Sequence, residues 1–549
     1  MSHTHRVDRS YSQDVPPYDA AFEPMVTAVR QTDPPLPAAE MLRLARWLYE
    51  QRAYRSAELL LESLTDDDAR TVESLKLRRS VASKVGDLTT AVHISNELAS
   101  QRKVTVSDVR LVSGRLMELY GALPTISGPS EKIHPRDQKT IVHLVKESVP
   151  YRHNGFCSRS HYNFIAERDA GYKVVVLTEP GFPEPGSTPL AVKTEQIIDG
   201  ISYYHFSLGS AAAASMPVDQ LMEIWAELAY QKIKIIKPSV VHASSGRRGY
   251  ETALVAAAVA RKGSIPFVYE VRSFFESNWT GEVAREETGE IFKRRLAAEK
   301  YCMDLADRVL TIGQAMRWEL ISRGVEPSKI DVIPNGVQAD SFSNPDPARD
   351  LRQEIGLPHD LTFGYVSNMD HYRESQETLI ECSKYLRDAG TPMNCLLVGD
   401  GPRRALLESY ATELGVSDLV FFTGRVDHES TPAFYALIDF FVIPRINERS
   451  ARFVTPLKPF EAMAAGCLVM VSDLPALTEI VDPPNRGAVF PVGDAAELAR
   501  LIMHHAAHPE LSRAMTEAGN SWVRTQRSWS SNGARYAESY SRAIASRKV

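Results

Sequence analysis

Short apolar runs alternate with helical stretches along most of this 549-residue chain, and this alternation constrains the fold more than any other feature. Such runs, separated by helices, indicate right-handed βαβ units and parallel sheets. The pattern restarts at residues 361–366, and we place the predicted α/β halves at residues 139–345 and 346–525. Because ligands bind outside the carboxyl ends of parallel strands, two facing halves predict one interdomain cleft. The predicted strands are residues 141–145, 173–177, 240–242, 267–270, 308–311, 361–366, 394–398, 419–422, 440–443 and 467–471.

Charge and composition narrow the class of protein. Lys and Arg total 63 against 69 Asp and Glu, a net charge of −6, so we expect no general attraction for nucleic acid. No apolar run approaches the roughly 20 residues of a membrane span, and the N-terminus lacks the apolar stretch of a secretory signal. The five cysteines are far apart without a C-x-x-C pattern, which is typical of a reducing compartment. We therefore expect a cytoplasmic protein without disulfides.

The chain before the first α/β half divides into three predicted parts. Residues 1–36, rich in Ser, Asp, Pro and Tyr, predict a disordered arm. Residues 37–126 show helical spacing of apolar side chains and form a predicted N-terminal helical module. The polar residues 127–138 predict a linker.

An internal match in the helical module suggests a repeat. Tyr54 and Leu88 lie 34 residues apart, as do Ala57 and Ala91. This period is that of a tetratricopeptide-type (TPR-like) helical hairpin, whereas an irregular helical bundle is the alternative. Either arrangement would serve self-association or a protein partner, or would pack on the first α/β half.

The segment VTPLKPFEAMAAGC at residues 454–467 is the most informative for chemistry. Thr455 followed by proline predicts a helix N-cap with proline in the first turn, and Gly466 predicts the end of the helix. The unpaired N–H groups of a helix N-terminus suit a diphosphate. Lys458 would add a full positive charge, and Glu461 would accept hydrogen bonds from sugar hydroxyls. The alternative is a buried helix on which these two side chains form an ordinary exposed pair.

With other short motifs in the expected order, this segment resembles the signature of the retaining glycosyltransferases called family 4 of the GT-B enzymes. The resemblance is closest to a subgroup with VTPLKPxEAMA preceded by PR, here Pro444-Arg445. Trp529 and Tyr536 fall where the family has a late helix that returns to the first domain. The other matching motifs are PNGV at residues 334–337 with Phe342, LVGDGP at residues 397–402, and FTGRV at residues 422–426.

The resemblance implies an α/β GT-B fold in which two facing Rossmann-like domains with parallel sheets follow the all-α module. Residues 139–345 would hold the acceptor, residues 346–525 the nucleotide-sugar donor, and residues 526–549 the returning helix. It implies a hexosyltransferase that moves a sugar from a nucleotide-diphosphate donor such as a UDP sugar to a hydroxyl of a glycan or lipid-linked acceptor in cell-surface polysaccharide synthesis. The acceptor would attack from the face that the diphosphate leaves, with retention and without a side-chain nucleophile.

The resemblance also assigns residues to roles. Glu461 would bind the ribose, the amides near Thr455 the diphosphate, the Val426 backbone the base, and Ser367 the phosphates. Gly155 would allow close approach of the backbone in the first half, although a glycine there is often only steric. The predicted donor-binding residues are Gly155, Ser367, Arg425, Val426, Arg445, Thr455, Pro456, Leu457 and Glu461. The predicted catalytic residues are Lys458, Arg373, Arg272 and His242.

Two of these catalytic predictions have structural alternatives. His242 stands in HASS at residues 242–245, which resembles the family's HxHS, but a lone histidine is more often a satisfied core residue. Arg272 stands in YEVR, which resembles the subgroup's YEVRGfwE. It would face phosphate or an acidic acceptor, or else form a structural salt bridge with Glu276.

The chain departs from the family pattern at two places. Phe453 occupies the position of the first family glutamate. Glu448 is nearby but does not stand at the spacing of the family motif. The loop after the first strand of the second half carries Arg373 but no lysine, so Lys458, Arg373 and Arg445 would compensate the diphosphate charge.

Several expectations complete the prediction. No pattern of clustered metal ligands is visible, so we expect a metal-independent reaction with no cofactor. The basic runs at residues 232–237 and 293–295 would contact anionic lipid at the inner face of the membrane, or are solvated helix faces. A nucleotide-sugar epimerase of the same fold and a non-catalytic nucleotide-binding scaffold, which Phe453 favours, are the alternative functions.

Overall fold

The computed structural model describes residues 18–184, 188, 190–208, 215–246, 249–277, 289–342 and 351–547. The N-terminal helical module contains seven helices among these residues, and the first, second, third and fifth share a core that includes Ala45, Leu48 and Leu60. The helices are α1 (Tyr18–Arg30), α2 (Ala38–Glu50), α3 (Tyr54–Leu61), α4 (Asp66–Ala69), α5 (Val72–Val85), α6 (Leu88–Ser100) and α7 (Val106–Leu119).

Helix α1 corrects the prediction of a disordered arm over residues 1–36. Val26 is buried in the core of the module, and the Phe22 ring packs edge-on against Trp47 with centroids 5.3 Å apart. The apolar side chains of this segment recur at helical spacing and form one face of a helix. The segment is therefore helical although its overall composition is polar. Residues 1–17 lie outside the described residues.

The two halves of the internal match occupy equivalent positions. Tyr54 and Leu88 each begin a helix, and Ala57 and Ala91 are both fully buried. Helix α2 packs on α3, and α5 packs on α6. The arrangement accommodates helical hairpins, and the tetratricopeptide assignment stays a prediction.

The first α/β domain has an eight-stranded sheet of order β3-β4-β2-β1-β5-β6-β7-β8. Strand β3 is antiparallel to β4 and the other pairs are parallel. Its elements are β1 (Thr140–Val145), α8 (Gly155–Asp169), β2 (Lys173–Thr178), β3 (Glu195–Ile198), β4 (Ile201–Tyr204), α9 (Val218–Ile236), β5 (Val240–Ser244), α10 (Glu251–Gly263), β6 (Phe267–Glu270), α11 (Glu290–Leu305), β7 (Arg308–Thr311), α12 (Gln314–Ser322) and β8 (Ile330–Val332).

The segment predicted as a linker, residues 127–138, is docked on this domain. Ile133 is buried, and its N–H donates to the Gly263 carbonyl oxygen at 2.8 Å. The Arg136 N–H donates to the Lys237 carbonyl oxygen at 2.9 Å. The buried Ile133 side chain and these two backbone hydrogen bonds hold the segment on the domain. Its composition alone predicts a linker without such contacts.

The second α/β domain has a six-stranded parallel sheet of order β11-β10-β9-β12-β13-β14. Its elements are α13 (Leu351–Ile355), β9 (Thr362–Val366), α14 (Gln376–Asp388), β10 (Asn394–Val398), α15 (Arg404–Glu413), β11 (Val420–Phe422), α16 (Thr431–Tyr435), β12 (Phe440–Ile443), α17 (Arg449–Phe453), α18 (Lys458–Ala465), β13 (Leu468–Ser472), α19 (Pro475–Val481), β14 (Ala488–Phe490), α20 (Ala495–Ala507) and α21 (Pro509–Gln526).

The last helix, α22 (Asn532–Ser546), packs on α8 of the first domain. Its Tyr536 hydroxyl donates to Glu270 at 3.0 Å, and its Tyr540 hydroxyl donates to Glu167 at 2.9 Å. The two domains are therefore joined both between β8 and β9 and by the returning helix. Among the helices of the described ranges, none is long and apolar enough to cross a membrane.

Candidate functional site

A cleft of about 840 Å³ lies between the two domains, where the carboxyl ends of their strands face each other. Its first-domain wall is formed by the segments after β1, β6, β7 and β8 and by Arg295 of α11, and its second-domain wall by the segments after β9 and β12. The lining residues are Glu147, Arg152, Asn154, Gly155, Phe156, Arg159, Arg272, Ser273, Phe275, Arg295, Ile312, Asn335, Asn368, Asp370, His371, Arg373, Glu374, Arg445, Ser450, Val454, Thr455, Pro456, Leu457 and Lys458.

The lining of the cleft is rich in positive charge. Seven arginine and lysine side chains face three carboxylates, although the chain as a whole is acidic. A cleft with a local cationic excess attracts an anionic ligand. The cations are Arg152, Arg159, Arg272, Arg295, Arg373, Arg445 and Lys458, and the carboxylates are Glu147, Asp370 and Glu374.

Residues 455–458, which we call the α18 tip, lie at the centre of the second-domain wall. The helix begins at Lys458 after Leu457, so the predicted cap at Thr455 with Pro456 in the first turn is wrong. The Thr455 hydroxyl instead bonds to Glu479 at 3.3 Å. Gly466 ends the helix with a φ of 85°, as predicted.

Lys458 lines the cleft beside aromatic and acidic groups. Its Nζ lies 5.0 Å from the centroid of the Tyr365 ring. Burial lowers the pKa of Lys458, against the attraction of Glu374. The side chain is therefore a poorly solvated cation that gains from an anionic ligand.

Arg445 has its charge matched within the protein. Its guanidinium donates to Glu374 at 2.9 and 3.2 Å, and the Tyr365 hydroxyl also bonds to this carboxylate. Although burial raises the pKa of Glu374, the Arg445 and Lys458 charges hold it well below its usual range. Arg445 lines the cleft, but much of its charge is already compensated.

Arg373 approaches the cleft from the loop after β9. It bonds to the Ser450 hydroxyl, and its Nη1 lies 3.9 Å from Glu448. Glu448 is almost fully buried, and burial raises the pKa of its carboxyl. Glu448 thus stands behind Ser450 and Arg373 and does not line the cleft.

Phe453 occupies the position at which the family commonly has its first glutamate. Its ring packs edge-on against Phe274 of the first domain with centroids 6.0 Å apart, next to the ion pair of Arg449 with Glu276 at 3.3 Å. The position therefore contributes to the contact between the domains rather than to the lining of the cleft.

Arg272 lines the cleft, but its predicted alternative partner is wrong. It pairs with Glu270 at 3.1 Å and donates to the Ser160 hydroxyl at 2.6 Å, whereas Glu276 pairs with other arginines. Arg159 shares Glu270 at 2.6 Å. One buried carboxylate therefore orients two arginines at the edge of the cleft.

His242 does not reach the cleft, which corrects its prediction as a catalytic residue. It is fully buried, its Nδ1 lies 2.8 Å from the Tyr540 hydroxyl, and its Nε2 lies 3.4 Å from Glu270. Burial lowers its pKa to about 4, so the ring is neutral near pH 7. The side chain lies on the face of the sheet that α22 covers.

Four further predicted residues are absent from the lining of the cleft. Ser367 is buried and accepts a hydrogen bond from Gln376 at 3.0 Å, although the next residue lines the cleft. Glu461 accepts from the Tyr435 hydroxyl at 2.7 Å. Arg425 is exposed and Val426 packs partly on the core of the second domain. The predicted residues that the cleft does bring together are Gly155, Arg272, Arg373, Arg445, Thr455, Pro456, Leu457 and Lys458.

Little in the sequence predicts that several of these residues line the cleft. Asn335 stands inside the PNGV motif, but no role follows from the motif itself. Glu374 and Arg152 belong to no recognisable pattern. Arg295 stands in the basic run at residues 293–295, but it is buried and lines the cleft, so it is neither a lipid contact nor part of a solvated face. Glu374 pairs with a residue 71 positions away, and such a pairing is visible only after folding.

One cluster among the described residues has the composition of a metal site. Ligand atoms of His143, Glu167 and His242 all lie within 4.8 Å of one another. His143 Nε2 lies 2.9 Å from Glu167, which also accepts a hydrogen bond from Tyr540. These hydrogen bonds join α22 to the sheet through Glu167 of α8, and the cluster lies away from the cleft.

Comparison with known proteins agrees with this geometry. The family Glycosyltransferase Family 4 matches residues 166–341, and the family Glycosyl transferases group 1 matches residues 360–507. The chain is 28% identical over 234 residues to a 2-deoxystreptamine glucosyltransferase of Streptomyces kanamyceticus, which covers 41% of this chain and 58% of the relative. It is 28% identical over 236 residues to a GDP-mannose-dependent alpha-(1-6)-phosphatidylinositol monomannoside mannosyltransferase of Mycolicibacterium smegmatis, covering 42% of this chain and 62% of the relative. The chain thus matches less than two thirds of the length of these curated relatives.

Solved structures share the fold. A sucrose-phosphate synthase of Thermosynechococcus elongatus is similar with a TM-score of 0.58 at 20% identity, over 74% of this chain and all of that one. The Anabaena protein HepE in complex with UDP-glucose has a TM-score of 0.55 at 18% identity, over 73% of this chain and 99% of that one. With its two matched domains facing each other across the cleft, this chain belongs to the family 4 glycosyltransferases of the GT-B fold.

Proposed function

We propose that this protein is a retaining glycosyltransferase that moves a sugar from a nucleotide-diphosphate sugar to a hydroxyl of an acceptor. The observation that carries the proposal is the concentration of cationic side chains around the α18 tip, in a cleft between two Rossmann-like domains. A diphosphate bound at this tip would have its negative charge close to these cationic side chains. UDP is the proposed nucleotide, in keeping with the neighbour that is described in complex with UDP-glucose.

The proposed reaction breaks the bond between the anomeric carbon and the diphosphate oxygen, and the electron pair leaves with that oxygen. The Leu457 and Lys458 backbone amides at the start of α18, together with the Lys458 and Arg373 side chains, would stabilise this growing charge. The acceptor oxygen forms the new bond on the face that the diphosphate leaves, and its proton passes to the departing diphosphate oxygen. The anomeric configuration is retained.

The wall of the first domain is the proposed acceptor side. Two relatives are named a 2-deoxystreptamine glucosyltransferase and a phosphatidylinositol monomannoside mannosyltransferase, and these names refer to different acceptors. We propose that the acceptor is a glycan or a lipid-linked molecule used in cell-surface polysaccharide synthesis. A cytoplasmic location, with peripheral contact at the inner face of the membrane, belongs to the same proposal.

A donor screen tests this function. Purified protein is incubated with UDP-, GDP- and ADP-sugars, with and without extracted glycan acceptors, and release of the nucleotide diphosphate is measured. We expect acceptor-dependent release and a product with the anomeric configuration of the donor by NMR. An inverted product would contradict retention, and loss of activity in excess chelator would contradict metal independence.

The two alternatives give different results in the same screen. An epimerase would convert the donor without any acceptor, whereas the transferase gives only slow hydrolysis. A non-catalytic scaffold would bind a nucleotide diphosphate in calorimetry and release none from any donor.

A further inference from the structure

Arg449 of the second domain reaches into an acidic pocket of the first domain. It is the first residue of α17, and its Nε donates to Glu276 at 3.3 Å. Its Nη2 donates to Glu319 of α12. The Arg449 side chain is only 17% exposed, and the Glu276 and Glu319 side chains are 1% and 12% exposed. The guanidinium therefore joins two poorly solvated carboxylates across the domain boundary.

The charges in this pocket are balanced only when Arg449 is present. Arg323, at the end of α12, donates to Glu276 and, at 3.1 Å, to Glu319. Glu299 lies 3.3 Å from Arg323, but burial raises the pKa of its carboxyl to about 8, so it is largely neutral near pH 7. Two arginines thus share two carboxylates. Loss of Arg449 would leave both acids with a single cation in a poorly solvated site.

Aromatic rings surround the Arg449 guanidinium. It lies 5.7 Å from the ring centroids of Phe274 and Phe292 in the first domain, and 5.9 Å from that of Phe453 in α17. The Phe453 ring packs edge-on against Phe274. Rings at this distance attract a cation and shield its ion pairs from water. We call this interdomain group the Arg449 cluster; its members are Phe274, Glu276, Glu319, Arg449 and Phe453.

On the first-domain side, the Arg449 cluster holds a segment that lines the cleft. Ser273 and Phe275 line the cleft, whereas their neighbours Phe274 and Glu276 belong to the cluster. Members of the cluster and lining residues therefore alternate along the chain. The ring contact and the ion pair hold the lining segment at two points.

On the second-domain side, the Arg449 cluster holds the segment that leads into the α18 tip. Helix α17 ends at Phe453, and the tip begins two residues later. The Val454 N–H between them donates to the Ser450 carbonyl oxygen at 2.9 Å. The Ser450 hydroxyl accepts from Arg373, so α17 also holds a cation of the cleft. A shift of Arg449 would therefore move the tip and Arg373 together, relative to the first domain.

We propose that Arg449 is a positioning residue, which sets the distance and orientation of the α18 tip relative to the first-domain wall. The inference rests on the proposed function, because it takes the tip as the diphosphate site and the first-domain wall as the acceptor side. Donor and acceptor must then be held at reacting distance by groups on opposite walls. A misplacement of about 1 Å can lower such a rate about a hundredfold.

Arg308 provides a matched control inside the first domain. Its side chain is 10% exposed, and it pairs with Asp331 at 2.6 Å. Arg308 begins β7, at the end of the sheet opposite to the cleft, and Asp331 lies in the neighbouring strand β8. Arg308→Gln therefore removes a poorly solvated arginine from an ion pair without touching the contact between the domains.

The first test compares Arg449→Gln, Arg449→Lys, Arg308→Gln and the wild type in the full chain. We expect kcat to fall about tenfold in Arg449→Gln. The affinity for UDP by calorimetry should change less than about threefold, because Lys458 and the tip amides keep their places within the second domain. Arg449→Lys keeps the charge but not the fork of donors that serves two carboxylates, so its kcat should lie between.

The control separates positioning from stability. Arg308→Gln should keep kcat within about twofold of wild type, even where its urea midpoint is lower. A wild-type kcat in Arg449→Gln, or an equal fall in Arg308→Gln, overturns the proposal. A loss of UDP affinity as large as the loss of kcat would place the effect in donor binding and also overturns it.

A second measurement needs no catalytic activity. The five native cysteines are buried, so spin labels can be attached at Glu223→Cys on α9 and Ser409→Cys on α15, which are exposed sites on the two domains. The distance distribution from double electron–electron resonance should be longer or broader in labelled Arg449→Gln than in labelled Arg308→Gln and in the labelled parent. Equal distributions in all three refute the positioning role. Absence of transfer by the wild type refutes the proposed function and leaves this comparison intact, so the two failures are distinguishable.

Discussion

The Asn335 side chain joins the first domain to the α18 tip: its Nδ2 donates to the Thr455 carbonyl oxygen at 2.8 Å. Its Oδ1 accepts from Arg159 at 2.6 Å, and the side chain is buried. Glu479 of the second domain makes a further link, since it accepts from the Ala315 N–H of the first domain at 3.0 Å. The position of the tip relative to the first domain thus depends on a few buried polar groups.

Replacing Asn335 by Asp should misplace the tip. The variant loses the donor to Thr455 and sets a carboxylate against a carbonyl oxygen, which costs about 1–3 kcal/mol. We expect kcat/KM for the donor to fall at least about tenfold, with the circular dichroism spectrum unchanged. Asn485→Asp is the control, because Asn485 is exposed and bonds only locally to Asp482. A wild-type rate in Asn335→Asp would show that the link has no part in catalysis.

Loss of the Lys458 charge should slow the reaction. Lys458→Ala removes a poorly solvated cation from the α18 tip, so the departing diphosphate is less stabilised. We expect turnover to fall at least about tenfold, equivalent to about 1.4 kcal/mol in the barrier. Lys384→Ala, on the exposed face of α14, serves as control. The assigned role is contradicted if Lys458→Ala and Lys384→Ala turn over alike.

The pH dependence of the reaction should report the same side chain. Burial lowers the pKa of Lys458 from its ordinary value of 10.5. The charged form, which the diphosphate requires, exists below the folded-state pKa and is lost as pH rises through it. We therefore expect kcat/KM to fall at a pH below 10.5. In Lys458→Arg the guanidinium stays charged, so the alkaline fall should move to higher pH. An identical alkaline limb in both proteins would assign the titration to another group.

The returning helix should contribute measurably to stability. Tyr540→Phe removes a buried hydroxyl that lies within hydrogen-bond distance of Glu167 and His242. Leaving these buried groups without this partner should lower the free energy of unfolding by about 1–3 kcal/mol, measured as a shift of the urea midpoint. Ser541→Ala, on the exposed side of α22, should change it by less than about 0.5 kcal/mol. Equal midpoints in the two variants would show that the network does not stabilise the protein.

The local pattern of apolar residues is sufficient to predict the long buried strands and the order of the two domains. The runs at residues 141–145 and 394–398 became β1 and β10, because strands buried on both faces must be apolar throughout. Four strands that the pattern does not predict have only three or four residues each. Glu195–Ile198, Ile330–Val332 and Ala488–Phe490 lie at sheet edges, and Ile201–Tyr204 pairs with the edge strand Glu195–Ile198.

Strand periodicity predicts two parallel α/β halves, and the resemblance carried by the VTPLKPFEAMA motif implies the GT-B fold and locates the α18 tip, because both are local properties of the chain. Which polar side chains reach the cleft follows from tertiary contacts alone. His242 and Arg272 both lie near strand ends, yet one is covered by α22 and the other opens to the cleft. The pairing of Arg445 with Glu374 joins residues far apart in the chain, because burial and charge compensation act through space.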